Sequence, residues 1–195
     1  MALQGYNALV KTQSSAIAFT DEATTTSDNK TYQITNATKR IFDYETELIV
    51  KNDASIVTGY SFNKITGTVT FQTATVRTIT LTGAYVALTT VAEATEYSFE
   101  GTLDLGDSTV FQTDSRTFLP INQSATASLS RFYNVDGFFL GMLFDKTVKV
   151  IEFYADGGGD PFRIYAFVSS DSVSASIDDL IKETVSFQMT DKGVI

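Results

Sequence analysis

Strict alternation of apolar and polar residues is the feature that most limits what this chain can fold into. In Ser124–Ser130, Ala125, Ala127 and Leu129 alternate with Ser124, Thr126, Ser128 and Ser130. In Thr184–Thr190, Val185, Phe187 and Met189 alternate with hydroxyls and Gln188, and Ser172–Ile177 repeats the pattern with Val173, Ala175 and Ile177. A period of two sends successive side chains to opposite faces of a strand. Each apolar set is expected to face a core, and each polar set to stay in water. Thr95–Asp104 has the same design with an acidic outer face. Tyr97, Phe99 and Leu103 share one side; Glu96, Ser98, Glu100, Thr102 and Asp104 share the other.

The rest of the chain reads as short strands between turns. Expected strands are Tyr6–Lys11, Ala16–Thr20, Thr31–Ile34, Lys39–Tyr44, Glu47–Val50, Tyr60–Phe62, Gly67–Phe71 and Thr78–Leu81. Asp21–Lys30 is a polar run, Lys51–Ser55 a turn, and Thr82-Gly83 a tight turn into Ala84–Leu88. Leu105–Asn122 shows no period and reads as a long loop or arm that orders on a partner. Thr, Val, Ile, Phe and Tyr dominate, which suits pleated, half-buried surfaces. Short strands at this spacing predict a mainly β fold, a sandwich or barrel of two packed sheets.

One helix interrupts this pattern. Gly137–Phe144 is expected to be helical, with Asp136 as N-cap and Phe138, Phe139, Met142 and Leu143 turned inward. An apolar strand follows at Val148–Tyr154, then a glycine turn at Asp156–Asp160. Phe162–Val168 carries apolar groups on both faces, as in a strand covered on both sides.

Length and composition bound the rest. With 195 residues, 43% hydrophobic and 19% charged, the chain can bury a core as one domain, residues 1–195. Within it, 1–91 forms a β-rich N-terminal half and 92–191 a core sandwich carrying the helix at 137–144. The chain has no cysteine, which leaves a reducing compartment open. Met1–Gln13 lacks the apolar run of a signal peptide, and no stretch approaches the roughly 20 apolar residues of a membrane helix. The expectation is a chain made in a cytosol, with no membrane association. The sequons Asn36-Ala-Thr and Asn122-Gln-Ser are then chance matches.

Most catalytic chemistries lack their residues. Without histidine there is no Ser-His-Asp triad, and without cysteine as well there is no ordinary zinc site. Gly157–Gly159 is followed by Asp160 rather than Lys-Ser/Thr, so it is not a phosphate loop. Glu96 and Glu100 could be paired as in glycosidases, but they share one strand with threonines and no apolar pocket to raise a pKa. Asp156 and Asp160 offer oxygen ligands for Ca²⁺ without EF-hand spacing, and a plain turn closed by Pro161 explains them better. No enzyme activity and no cofactor are expected. The formal charge of −9 also argues against binding a phosphate backbone.

The order of elements is then recognisable. Ser124–Tyr133, Asp136-Gly-Phe-Phe-Leu-Gly-Met-Leu-Phe, Val148-Lys-Val-Ile-Glu-Phe-Tyr-Ala-Asp-Gly-Gly, Phe162–Asp171 and Ser172–Thr190 together resemble the major tail tube proteins of long-tailed bacteriophages. Gly59-Tyr-Ser-Phe-Asn-Lys-Ile-Thr-Gly-Thr-Val-Thr-Phe is similar to a segment of several phage structural proteins. The resemblance covers about Ala92–Asp191 best.

It implies two packed β-sheets with one flanking helix, hexameric rings stacked into a tube, and a lumen that conducts viral DNA to the host. It also implies assembly in the host cytoplasm, residence in the virion, and contacts with tape-measure and terminator proteins. On this reading Glu96, Glu100 and Asp104 line the lumen, repelling phosphates rather than holding them. Asp107, Arg116 and Pro120 belong to an inter-subunit loop. Two alternatives compete with the tail tube: another phage structural part (a decoration protein or tail terminator), and a carbohydrate-binding β-sandwich. The last fits less well, because there is no Trp and Phe and Tyr fall mostly on inward positions.

Overall fold

The structure is a computed structural model, and it describes residues 9–107, 118–133, 137–154, 161–175 and 180–190. Its fold is mainly β with one α-helix. Two units divide the chain. The first takes the residues up to Ala92 together with Val148–Tyr165; the second takes Glu93–Thr147 and Ala166–Asp191.

In the first unit, β1 (Leu9–Gln13) pairs with β11 (Lys149–Tyr154). The strands β2 (Ile17–Thr26), β3 (Thr31–Ile34), β4 (Ile49–Asn52), β5 (Ser55–Ile56), β6 (Tyr60–Asn63), β7 (Thr68–Phe71) and β8 (Ile79–Tyr85) form a separate antiparallel sheet. Their order is β5-β4-β8-β2-β3-β7-β6. Alternate residues of these strands converge on one core that contains Phe19, Tyr32, Phe42, Val69, Phe71 and Leu81. Edge-to-face rings at Phe19–Phe42 and Tyr32–Phe71 fix its packing. The Tyr165 hydroxyl donates to the buried Phe42 carbonyl at 2.7 Å. Glu152 of β11 is buried between Lys11 and Arg163, so its charge is paired rather than stranded.

In the second unit, β9 (Leu88–Asp107), β10 (Phe118–Phe132), β13 (Lys182–Met189) and the distal half of β12 (Phe162–Ser174) lie side by side, all antiparallel. The α-helix α1 is Phe138–Asp145. It buries Phe139 and Met142, and the Phe139 ring meets Phe187 of β13 edge-on at 5.8 Å. Strands β9 and β12 run through both units.

Several expectations change. Strand β2 continues through Asp21–Thr26, where a polar run was expected to end it. Its register breaks between Phe19 and Glu22, with Asp21 at φ 50, and then resumes against β8 and β3. Thr82-Gly83 is not a turn but lies inside β8. A Cβ on Gly83 would stand 3.4 Å from Cε1 of Phe42, so the glycine permits close packing there. Lys39–Tyr44 is not a strand: it follows a 3₁₀ turn at Ala37–Lys39 and makes an isolated bridge, Phe42 with Tyr85. The helix N-cap is Gly137 at φ 57, with no side-chain cap; Asp136 lies outside the described residues.

Candidate functional site

The β9–β10 ribbon carries the residues singled out by sequence, and its register explains both faces. Glu96 pairs with Ser130, Ser98 with Ser128, Glu100 with Thr126, Thr102 with Ser124, and Asp104 with Asn122. Directly paired residues share a face, so from Glu96 to Thr102 one side of the ribbon is hydroxyl and carboxylate; beyond Asp104 the same side carries Leu119, paired with Gly106 and 61% exposed. Hydroxyl pairs link the two strands across it, Ser98 to Ser128 at 2.7 Å and Thr102 to Ser124 at 2.6 Å. The face continues onto β13 and β12. Ser128 is paired with Ser186 and Ser130 with Thr184; Ser186 and Thr184 are paired in turn with Ser170 and Ser172.

Glu96, Glu100 and Asp104 are all exposed on this face. Four residues of extended strand separate each from the next, about 13.5 Å. That exceeds the Debye length of about 8 Å at physiological salt, so in one chain they act as independent charges.

The opposite face is apolar and changes character along its length. Near β13 it is core: Ala125, Ala127, Leu129, Val185 and Phe187 are all buried. Farther along the ribbon the same face emerges into solvent. Phe99 is 39% exposed, Leu103 56%, Leu105 55% and Phe118 51%. The sequence reading placed Phe99 and Leu103 over a core, but the core of the second unit ends before it reaches them.

The proposed loop residues separate. Asp107 ends β9, paired with Phe118, and Pro120 lies in β10, paired with Leu105. Both are therefore in strands, where cross-strand pairing prevails over the lack of a sequence period. Arg116 lies outside the described residues, as do Asp156 and Asp160.

A buried charge cluster, missed by sequence reading, anchors this sheet. Arg131 of β10 and Glu183 of β13 are paired in register, almost wholly buried, and joined by a salt bridge. The Arg131 guanidinium also lies 4.7 Å from the centre of the Phe139 ring of α1. Asp171 of β12 joins them because a register shift between Val168 and Ser170 puts it opposite Val185. Burial and the neighbouring Glu183 charge raise the Asp171 pKa above the ordinary carboxylate value, although Arg131 pulls the other way. The same shift pairs Val173 with buried Glu183, on the inward face as its period predicts, although Val173 itself is 51% exposed; Ile177 lies outside the described residues.

Among the described residues no group of acids could hold a metal ion, and no helix is long and apolar enough to cross a membrane. No protein-family profile and no curated protein matches the chain. Among solved structures, a chain from the virion of a native gene transfer agent particle is similar at 13% identity and a TM-score of 0.48. It covers 55% of this chain and 88% of that one. A chain from the tail of an empty gene transfer agent particle with C6 symmetry is similar at 14% identity and a TM-score of 0.47, covering 54% of this chain and 83% of that one. Likeness of this extent carries no functional argument.

Proposed function

We propose that this chain is a structural subunit of a phage-type tail tube. Copies join side by side into rings, six to a ring on the family pattern, and the rings stack. The hydroxyl-and-carboxylate face lines a lumen through which DNA passes. One observation carries the reading: the β9–β10 ribbon keeps its apolar face beyond the core that should cover it. Monomers seldom leave such a stripe open without an interaction to serve, and a second copy is the occupant the ribbon suits. Ring closure would cover the stripe while leaving the other face wet.

The polar face supplies the second half of the argument. A channel for DNA must not retain it, and retention comes from Lys and Arg neutralising phosphates. This face presents hydroxyls interrupted by Glu96, Glu100 and Asp104. Repeated around a ring, these isolated charges would sum to a negative potential in a confined space, where the field is focused. Tape-measure and terminator proteins would then be partners, the virion the location, and the host cytoplasm the place of assembly. Sequence resemblance to tail tube proteins over Ala92–Asp191 supports the same reading.

The test is direct. Purified protein at increasing concentration should form rings or tubes in negative-stain images. A monodisperse monomer at every concentration and salt condition would defeat the proposal.

A further inference from the structure

The first unit contains a concave site that runs against the charge of the chain. Two adjoining cavities share Gly59, Phe71 and Gln72 on their walls. The larger, about 500 Å³, is lined also by Lys30 and Tyr60; the smaller, about 220 Å³, by Arg77. In a protein of net charge −9, these walls hold two cations and no carboxylate.

Arg77 is fixed in place. Its guanidinium lies 4.1 Å from the centre of the Phe71 ring, and its buried Nη1 has no hydrogen-bond partner among the described residues. A buried guanidinium nitrogen left unpaired is costly, and a carboxylate is the group that satisfies it best. The segment carrying Arg77 is pinned from several sides. The Thr75 amide donates to the Asn29 carbonyl at 2.9 Å, the Thr75 carbonyl accepts from the Tyr32 hydroxyl at 2.8 Å, and the Thr78 amide donates to Asn52 Oδ1 at 3.0 Å. Asp28, two residues before Lys30, stays ionised: its Oδ1 accepts from the backbone amides of Thr31 and Lys30, which lowers its pKa to about 2. Burial and the Glu47 charge raise the Tyr60 pKa, which keeps the phenol neutral and able to donate.

We propose that these cavities bind a carboxylated saccharide. Arg77 and Lys30 would take the carboxylate, and the short polar groups Ser61, Thr70, Gln72 and Thr73 would meet ring hydroxyls. The volume of the larger cavity falls in the range of small-molecule sites, and the smaller one extends it. A peptide carboxylate would meet the same cations, and the comparison with tri-glutamate separates the two.

The experiment titrates the intact protein with tri-galacturonate, using tri-glutamate, inorganic phosphate and a neutral trisaccharide in parallel, followed by ¹⁵N NMR. The proposal predicts saturable shifts at Tyr60, Gln72 and the Arg77 side chain with tri-galacturonate, and at least about tenfold weaker binding in Arg77→Gln. Lys30→Gln, on an exposed side chain, should weaken binding severalfold with the fold intact. Absence of saturable binding, equal affinity for tri-glutamate, phosphate or the neutral sugar, or full affinity in Lys30→Gln would each overturn it. The site does not depend on assembly, so the outcome is separable from the tube proposal.

Discussion

Replacing Leu103 and Leu105 together by serine tests the apolar stripe where it matters. Both side chains are already slightly more than half exposed in the single chain. The folded monomer therefore loses little, and surface substitutions of this kind usually change stability within about 0.5 kcal/mol. An assembled ring is different. Fully burying a leucine contributes about 1.5–3 kcal/mol, so covering the remaining half of each adds about 1–1.5 kcal/mol. Two leucines then give about 2–3 kcal/mol per subunit contact, or about 30- to 150-fold in the contact's equilibrium constant. The assay is the concentration at which rings or tubes appear, measured by sedimentation, beside a thermal melt of the monomer. The expected result is a steep rise in assembly concentration with an unchanged melting temperature. An unchanged assembly concentration would refute the reasoning, and so would a monomer destabilised by as much as the contact.

Three other predictions follow from the geometry. Converting Glu96, Glu100 and Asp104 together to lysine should make assembled tubes retain duplex DNA in a co-sedimentation assay, with the retention lost at high salt; retention by the unmodified tubes would count against the lumen assignment. Asp171 has a raised pKa in the folded state, so the stability it contributes is fully present below its unfolded value near 3.8 and is lost as pH rises through the folded value. Over that window the melting temperature of the native protein should therefore decline relative to that of Asp171→Asn, and parallel pH profiles would contradict the placement of Asp171. Tyr165→Phe leaves the buried Phe42 carbonyl without its 2.7 Å donor, costing about 1–3 kcal/mol and lowering the melting temperature by about 2–4 °C per kcal/mol; an unchanged melt would show that the bond contributes nothing.

Alternation made the second unit legible. Val185 and Phe187 in β13, and Ala125, Ala127 and Leu129 in β10, are buried as their period requires. The helix was legible from its apolar run, and Phe139 and Met142 do turn inward. The acidic face was legible too, because a period of two fixes which residues are neighbours.

What sequence could not show was where the core stops. Phe99 and Leu103 alternate as core residues do, yet they remain 39% and 56% exposed in the single chain. The stretch around Leu105 and Pro120 has no period to read, and it is backbone pairing between β9 and β10 that makes it a strand. Similarly, Asp21–Thr26 lacks a strand composition and is held by β3 and β8 on either side. Arg131, Glu183, Asp171 and Phe139 come from separate elements, as do Lys30, Tyr60 and Arg77. No local spacing could have joined either set.

The central claim is tested most directly by a cryo-electron microscopy reconstruction of the assembled protein. The account predicts a hollow tube of stacked rings, with Glu96, Glu100 and Asp104 facing the lumen and Leu103 and Leu105 buried against a neighbouring copy. A tube with those carboxylates on its outer wall, or with the leucines still open to solvent, would contradict it.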